Sequence, residues 1–238
     1  MNRIVLAFRN PSLALRWILK GRTNLTQIEL HEIEKFIEGY GAIVEAGSSD
    51  GVDTFRLASH FSKHEIFALE PVLEQFNETK TRVANFDNVK TFNLALSPVT
   101  GLVDLFLGKS GDGISGMGSS SLLEPQEHLN EFPEIQFSEI RRVKAITFEE
   151  FLFSNNVNFV DLLWLDVQGL EITVLAQNPQ IIQERVKCIH LEVSRIELYK
   201  GMPNYGEAVR FLKKIGFGVV IDRVGRISGN LLAVNMAF

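Results

Sequence analysis

Short apolar runs alternate along the chain with stretches in which apolar residues recur every three to four positions. The runs predict buried strands, and the recurring stretches predict amphipathic helices that cover them. The predicted strands cover 43–46, 65–69, 89–94, 159–166, 186–193, 217–221 and 231–236. The predicted helices cover 26–39, 52–62, 72–85, 148–153 and 209–215, and a further helix is expected to begin near Gly169. Alternating strands and helices with short connections predict an α/β fold, in which a seven-stranded, mostly parallel sheet carries helices on both faces.

One region departs from this alternation, because residues 108–121 are crowded with glycine and serine. A hairpin turning at Gly101 is expected just before it, between 93–96 and 103–107. Although the region contains a G-x-G-x-x-G spacing, neither a buried strand nor a helix flanks it, so we interpret it as a loop beside a ligand site. The predicted organisation is an N-terminal helical extension over 1–40 and one domain over 41–238, with an insertion near 108–140.

The charge balance and the cysteine count limit the partners and the compartment. With 29 acidic and 24 basic residues the formal net charge is −5, which argues against nucleic acid as a partner because phosphate binding needs a basic surface. Cys188 is the single cysteine, so no intramolecular disulfide can form and a cytoplasmic protein is expected.

The first 25 residues are basic and partly apolar. They contain Arg3, Arg9, Arg16, Lys20 and Arg22, and no acid precedes Glu29. Such a segment is typical of peripheral contact with an anionic membrane surface. A helix packed on its own domain, or on a second subunit of a homodimer, explains the pattern equally well.

The strongest chemical signal is the stretch from Ile43 to Gly51, an apolar strand that leads into a glycine loop and then a helix. Gly47 permits a tight turn and close approach of a ligand to the backbone, and Gly51 is expected where the helix passes close to the strand. About twenty residues later, the next apolar strand ends at Glu70, an acid that can accept both hydroxyls of a ribose.

Two cofactors carry such a ribose: nicotinamide dinucleotides and S-adenosylmethionine (SAM). A dinucleotide loop needs a second glycine where this chain has Ser49. Glu45, two residues before Gly47, would repel a pyrophosphate but suits the ammonium group of a methionine moiety. SAM is therefore favoured, and a dinucleotide-dependent oxidoreductase is the less favoured alternative.

Four blocks in this order and spacing resemble the FkbM family of SAM-dependent methyltransferases over residues 40–220. The blocks are 44–51, 68–71, 93–97 and 161–171. The resemblance implies a Rossmann-like fold of the class I methyltransferase type, bound SAM, and methyl transfer to a hydroxyl of a small molecule, sugar or glycan. The candidate cofactor-binding residues are Glu45, Gly47, Ser48, Ser49, Asp50, Gly51, Glu70, Pro71, Asn93, Ala95 and Asp166.

Two departures from the family pattern bear on activity. Trp164 stands where relatives usually have lysine, and Gln168 stands where they usually have glutamate. Loss of that carboxylate keeps a third alternative open, a non-catalytic SAM-binding or assembly protein on the same fold.

The candidate catalytic residues are Asp166, at the end of the fourth strand, and His190 and Glu192, which share a face of the fifth. His190 is the expected general base because the ordinary pKa of histidine lies near neutrality. Asp166 and Glu192 could instead hold Mg²⁺ or Ca²⁺, since hard cations choose carboxylate oxygens. A metal-free mechanism is slightly favoured, because Gln168 removes a carboxylate that a divalent ion would bind.

Overall fold

The computed structural model of the chain describes residues 26–37, 39, 41–111 and 116–238. The proposed contacts of residues 1–25 with a membrane or a partner, and most of the predicted 1–40 extension, lie outside these residues. Within them, no helix is both long enough and apolar enough to cross a membrane.

The structure contains eight α-helices and ten strands in its described part. The helices are α1 Leu30–Ile33, α2 Val52–His60, α3 Leu73–Arg82, α4 His128–Glu131, α5 Phe148–Ser154, α6 Glu171–Gln177, α7 Pro179–Arg185 and α8 Tyr205–Lys214. The strands are β1 Ala42–Ala46, β2 Ile66–Leu69, β3 Val89–Phe92, β4 Ala95–Leu96, β5 Gly101–Ser110, β6 Ile135–Ile146, β7 Val160–Leu165, β8 Val186–Ser194, β9 Phe217–Val224 and β10 Ser228–Asn235. Two 3₁₀ turns lie at Glu34–Phe36 and Met117–Ser119.

Seven strands form the main sheet in the order β3-β2-β1-β7-β8-β10-β9. The first five are parallel, and β10 runs antiparallel to both of its neighbours. Every residue of β1, β2 and β7 is buried, as expected of central parallel strands with a layer on each face. The predicted Rossmann-like, mostly parallel sheet of seven strands is therefore confirmed, including the closing hairpin.

Side chains of alternate parity along β1 enter two different cores. Val44 and Ala46 pack with residues of α5 to α8 on one face of the sheet. Ile43 packs on the other face with α1 and α2, in a cluster that includes Trp164. The two-residue period of the strand thus fixes which side chains face each helical layer.

The region 95–146 differs from the sequence expectation. The predicted hairpin between 93–96 and 103–107 is wrong, because β5 pairs antiparallel with β6, and β4 pairs parallel with β6, in a separate three-stranded sheet. The apolar alternation of Ile135, Phe137, Val143 and Ala145 was the available signal for β6. Charged residues interrupt this alternation, because one face of the strand is largely exposed.

Four helical regions also differ from the prediction. The helix expected over 26–39 is reduced to α1 and a 3₁₀ turn, while α4 and α7 were not predicted. The predicted helix at 209–215 begins earlier, at Tyr205, where Asn204 caps it by accepting a hydrogen bond from Glu207 N. An asparagine followed three residues later by glutamate is a capping box, a signal present in the sequence.

Asp161, the first acid of the 161–171 block, has a role in the fold rather than in the pocket. Its side chain is 1% exposed and its Oδ2 accepts a hydrogen bond from Gly41 N at 2.7 Å. The same oxygen lies 3.3 Å from His64 Nε2, which joins the start of β1 to the segment before β2. This acid therefore ties the sheet together far from the carboxyl ends of the strands.

We expect Asp161→Ala to lower the free energy of unfolding by roughly 1–3 kcal/mol, because it removes a buried carboxylate and leaves the partly buried amide of Gly41 without its acceptor. Denaturant unfolding measures the change. Asp104→Ala is the matched control, since Asp104 is exposed and its ion pair with Arg142 spans 3.8 Å, so a change below about 1 kcal/mol is expected. Equal losses in the two variants would contradict the assigned role of Asp161.

Candidate active site

The glycine loop after β1 is fixed by the close approach of two strand ends. Gly47 has φ +88°, and a Cβ there would lie 1.9 Å from the carbonyl oxygen of Asp166. Asp166 N in turn donates to Ala46 O at 3.0 Å. Gly51 has φ +78°, and a Cβ there would lie 2.7 Å from Thr79 Cα of α3, so the close neighbour is this helix rather than the expected strand. Both glycines are thus required by neighbouring backbone.

Glu70 links this loop to the end of β2. Its Oε2 accepts from Ser49 N and its Oε1 accepts from Val72 N, both at 2.8 Å. Burial raises the pKa of Glu70 to about 7. Each carboxylate oxygen has a second lone pair, so the two can still accept hydrogen bonds from two ligand hydroxyls. Asn93 supports the turn by donating to the carbonyls of Glu70 and Pro71.

A pocket of about 630 Å³, including its open mouth, lies along these strand ends. Six of the predicted cofactor residues line it: Gly47, Ser49, Glu70, Pro71, Ala95 and Asp166. The opposite wall comes from Met117–Leu122, which lies within the insertion expected near 108–140, together with Leu105. Gln75, Gln168 and Leu170 also line the pocket and were not among the candidates.

Five predicted cofactor residues do not line this pocket: Glu45, Ser48, Asp50, Gly51 and Asn93. Glu45 is 1% exposed and accepts a hydrogen bond from Thr54 Oγ1 of α2 at 2.6 Å, beneath the loop. Burial raises its pKa to about 8. Ser48 faces Thr79, and Asp50 accepts from Val52 N at the start of α2. These residues shape the loop from below.

His190 lies inside the sheet, four residues before the end of β8, and is absent from the pocket lining. Its ring stacks on Trp164 with centroids 3.6 Å apart, and burial lowers its pKa to about 3. His190 and Glu192 are two residues apart on β8 and share a face of the strand, as predicted. The two-residue period does not show how far from the end of the strand a side chain lies. A histidine in this position is a poor proton acceptor at neutral pH.

Asp166 and Glu192 are joined by Gln168. Its Nε2 donates to Asp166 Oδ1 at 2.5 Å and to Glu192 Oε2 at 3.3 Å. Burial raises the pKa of both acids, and the charge of Asp166 raises that of Glu192 further. Tyr199 completes the group, since its hydroxyl lies 2.9 Å from Gln168 Oε1 and 2.7 Å from Ser119 O.

The wall opposite the glycine loop is hydrogen-bonded to the backbone of Gln168. Ser121 Oγ donates to Gln168 O at 2.7 Å, and the backbones of Ser121 and Phe106 pair. The glycine- and serine-rich region interpreted as a loop therefore contains the end of β5 and a 3₁₀ turn beside the pocket. The structure places this region beside the pocket, and its contact with a ligand stays a prediction. Tyr199 had no signal in the sequence, and Gln168 appeared only as a departure from the family pattern.

No group of three histidine, cysteine or acidic side chains that could hold a metal ion occurs among the described residues. Between Asp166 and Glu192 lies an amide N–H, which donates a hydrogen bond and cannot ligate a cation.

Comparisons with known proteins place this geometry in context. Residues 45–219 match the family model of the methyltransferase FkbM domain. The 2-O-methyltransferase NoeI of Sinorhizobium fredii (strain NBRC 101917 / NGR234) is 28% identical over 161 residues, which cover 67% of this chain. The match spans 65% of the length of that relative.

Solved structures give weaker matches. Methanococcus jannaschii fibrillarin pre-rRNA processing protein has a TM-score of 0.49 at 13% identity, covering 84% of this chain and 68% of that one. The N-terminal domain of EvdMO1, with S-adenosylhomocysteine bound, has a TM-score of 0.48 at 11% identity, covering 86% and 78%. TM-scores below 0.5 do not establish a shared activity.

The buried acids predict an unusual pH dependence of stability. The pKa of Glu45 is about 8 in the folded protein against an ordinary 4.5, so its ionisation destabilises the fold as pH rises across that window. Glu45→Gln mimics the protonated acid. We expect the free energy of unfolding of this variant, relative to wild type, to increase by roughly 1–3 kcal/mol between pH 4.5 and pH 8. Denaturant unfolding without ligand measures the change.

The control is Glu124→Gln, because Glu124 is exposed beside Lys200. The difference in free energy of unfolding between this variant and wild type should change little over the same pH range. A flat profile for Glu45→Gln as well would show that Glu45 ionises normally in the folded protein.

Proposed function

The chain belongs to the FkbM methyltransferase family, and we propose that it is a SAM-dependent O-methyltransferase acting on a hydroxyl of a small molecule, sugar or glycan. One observation carries the proposal: a single pocket brings Glu70 and the Gly47 loop together with Asp166 and a separate wall. The first two suit a ribose-bearing cofactor, and the last two leave space beside a proton acceptor for a second molecule.

The cofactor half of the pocket fits SAM by its chemistry. Glu70 is held rigidly by two backbone amides, and its free lone pairs suit the two ribose hydroxyls. Asp166 and Glu70 add negative charge to the lining, which favours a ligand that carries positive charge. Bound SAM supplies a methyl carbon on a positively charged sulfur.

Asp166 is the proton acceptor that the geometry supports best. It lines the pocket, whereas His190 and Glu192 do not. SAM held by Glu70 and the Gly47 loop would supply the methyl group to the acceptor oxygen, and its sulfur would keep the electron pair of the carbon–sulfur bond. The hydroxyl proton passes to the Asp166 carboxylate, so the charges balance without a further reactant. Holding the two reactants in line supplies much of the acceleration, and a placed base contributes roughly 10²–10⁴-fold.

The choice of a hydroxyl acceptor draws support from the relative described as a 2-O-methyltransferase. The wall at Met117–Leu122 offers apolar surface from Met117 and Leu122 and backbone from Gly118. Such a mixed surface suits a carbohydrate or a polyol, whose rings present both apolar faces and hydroxyls.

Calorimetry with SAM and with NADH tests the cofactor, and a panel of methyl glycosides, polyols and phenols with radiolabelled SAM tests the transfer. We expect SAM to bind and NADH not to bind. Glu70→Gln should weaken SAM about tenfold or more, because one charged acceptor is replaced by an amide.

Glu65→Gln is the control, since Glu65 pairs with Lys90 on the surface and should leave SAM affinity unchanged. Because Glu70 also holds two backbone amides, melting curves must show that Glu70→Gln is folded. Unchanged SAM affinity in a folded variant would remove Glu70 from the site. SAM binding without transfer to any member of the panel would favour the non-catalytic alternative.

Asp166→Asn and His190→Gln separate the two candidate bases. We expect Asp166→Asn to lower turnover by about 10²-fold or more, and His190→Gln to stay within about threefold of wild type if it remains folded. Single-turnover transfer to the best acceptor of the panel is the measurement. The opposite ranking would restore His190 as the base.

Chelation tests the metal alternative with the same assay. A metal-free mechanism predicts unchanged turnover in EDTA, whereas loss of turnover that Mg²⁺ or Ca²⁺ restores would assign Asp166 and Glu192 to a cation.

A further inference from the structure

Among the described hydrogen bonds, the side chain of Gln168 is what links Asp166, which lines the pocket, to Glu192, which does not. An amide nitrogen carries two hydrogens, and here the two acids accept from it. Two neighbouring carboxylates repel each other in a partly desolvated site, so a donor between them lowers the cost of bringing them together. The backbone here lies in the left-handed region at two successive residues, with φ +52° at Gln168 and +100° at Gly169.

The two acids determine which end of the amide faces them. With the amide turned round, Oε1 would face two carboxyl groups, and the arrangement would lose both donated hydrogen bonds. The Tyr199 hydroxyl lies 2.9 Å from Gln168 Oε1 and 2.7 Å from Ser119 O, and its single hydrogen serves one of these two acceptors at a time. Tyr199 is 1% exposed and contacts the amide on its oxygen side.

We propose that Gln168 is a positioning residue that holds the Asp166 and Glu192 carboxyl groups in the orientation in which Asp166 takes the proton of the acceptor hydroxyl. The proposal rests on the proposed function. Because the amide engages Oδ1 of Asp166, the proton is assigned to Oδ2. The acceptor O–H bond breaks and an O–H bond to Asp166 forms, while Gln168 itself exchanges no atom.

The surroundings make an uncharged residue at 168 important. The titratable groups that act on Asp166 and Glu192, or respond to them, are Glu45, Asp53, Glu70, Glu171 and Tyr199. All of them become negative on losing a proton. A third carboxylate at position 168 would therefore be repelled by each of these acids that has lost its proton, and binding a proton would relieve the repulsion.

Gln168→Glu tests the role of the donated hydrogens. It keeps the length of the side chain and an oxygen for Tyr199, but exchanges the N–H donor for a carboxyl group. We expect turnover about 10²-fold below wild type at pH 8, and a ratio of variant to wild type that rises as pH falls towards 5. At low pH the protonated Glu can donate its hydrogen to a neighbouring acid. Gln168→Met has no donor at any pH, so its ratio should stay low throughout.

The matched control is Gln180→Glu. Gln180 donates to Glu184 at 2.7 Å on the exposed side of α7, so the same exchange there should leave the ratio at one across the range. SAM affinity of both Gln168 variants should stay within about threefold of wild type, since Gly47, Ser49 and Glu70 are untouched. Turnover is measured with the acceptor of the panel that incorporates the most methyl group from radiolabelled SAM.

Melting without ligand gives a second measurement that needs no acceptor. The pKa of a Glu at 168 would be raised by its neighbours, so the variant should match wild type near pH 5 and lose stability as pH rises to 8. Gln168→Met should show no such trend.

A pH-independent ratio for Gln168→Glu, or wild-type turnover in Gln168→Met, would overturn the positioning role while leaving the proposed function intact. An inactive wild type that binds no SAM would instead overturn the proposed function, and the positioning role with it.

Discussion

The site depends on one close contact, the approach of the backbone at Gly47 to the carbonyl of Asp166. Parallel pairing of β1 with β7 places Ala46 opposite Leu165, so the residues that follow each strand must pass side by side. Only a residue without a Cβ fits, because a methyl carbon would lie 1.9 Å from the carbonyl oxygen. The same contact brings the glycine loop and the acid at the end of β7 to one pocket, and so joins the cofactor half of the site to its chemistry.

The second feature of the site is the concentration of acids at one edge of the sheet, each held by donors from a different element. Glu45 is bound by a threonine hydroxyl of α2, Glu70 by two loop amides, and Glu171 by the amides of Val167 and Gly169. Burial raises the pKa of each of these three carboxyl groups. Ionising these buried acids destabilises the fold, and a positively charged ligand such as the proposed cofactor would offset part of that electrostatic cost.

The sequence predicts the main sheet well, because the patterns that indicate its strands lie within short stretches of the chain. Apolar runs, Gly47 and the acid at Glu70 are short-range patterns, and each has a direct physical cause. The wall at Met117–Leu122 and the contact of Tyr199 with Gln168 depend instead on chain segments that meet only after folding. His190 shows the same limit, since its parity was predicted correctly while its depth in the sheet and its stacking on Trp164 were not visible.

Position 168 is where these separate features meet. Its side chain donates to Asp166, which follows β7, and to Glu192, which lies on β8. Its backbone carbonyl accepts a hydrogen bond from Ser121 of the wall, and its side-chain oxygen faces Tyr199. A glutamate there could not donate to Asp166 unless it carried a proton, so the neutral amide supplies a hydrogen bond that an ionised glutamate would lack. The departure from the family pattern that first suggested loss of catalysis is, in this geometry, compatible with a site that uses carboxyl groups alone to accept a proton.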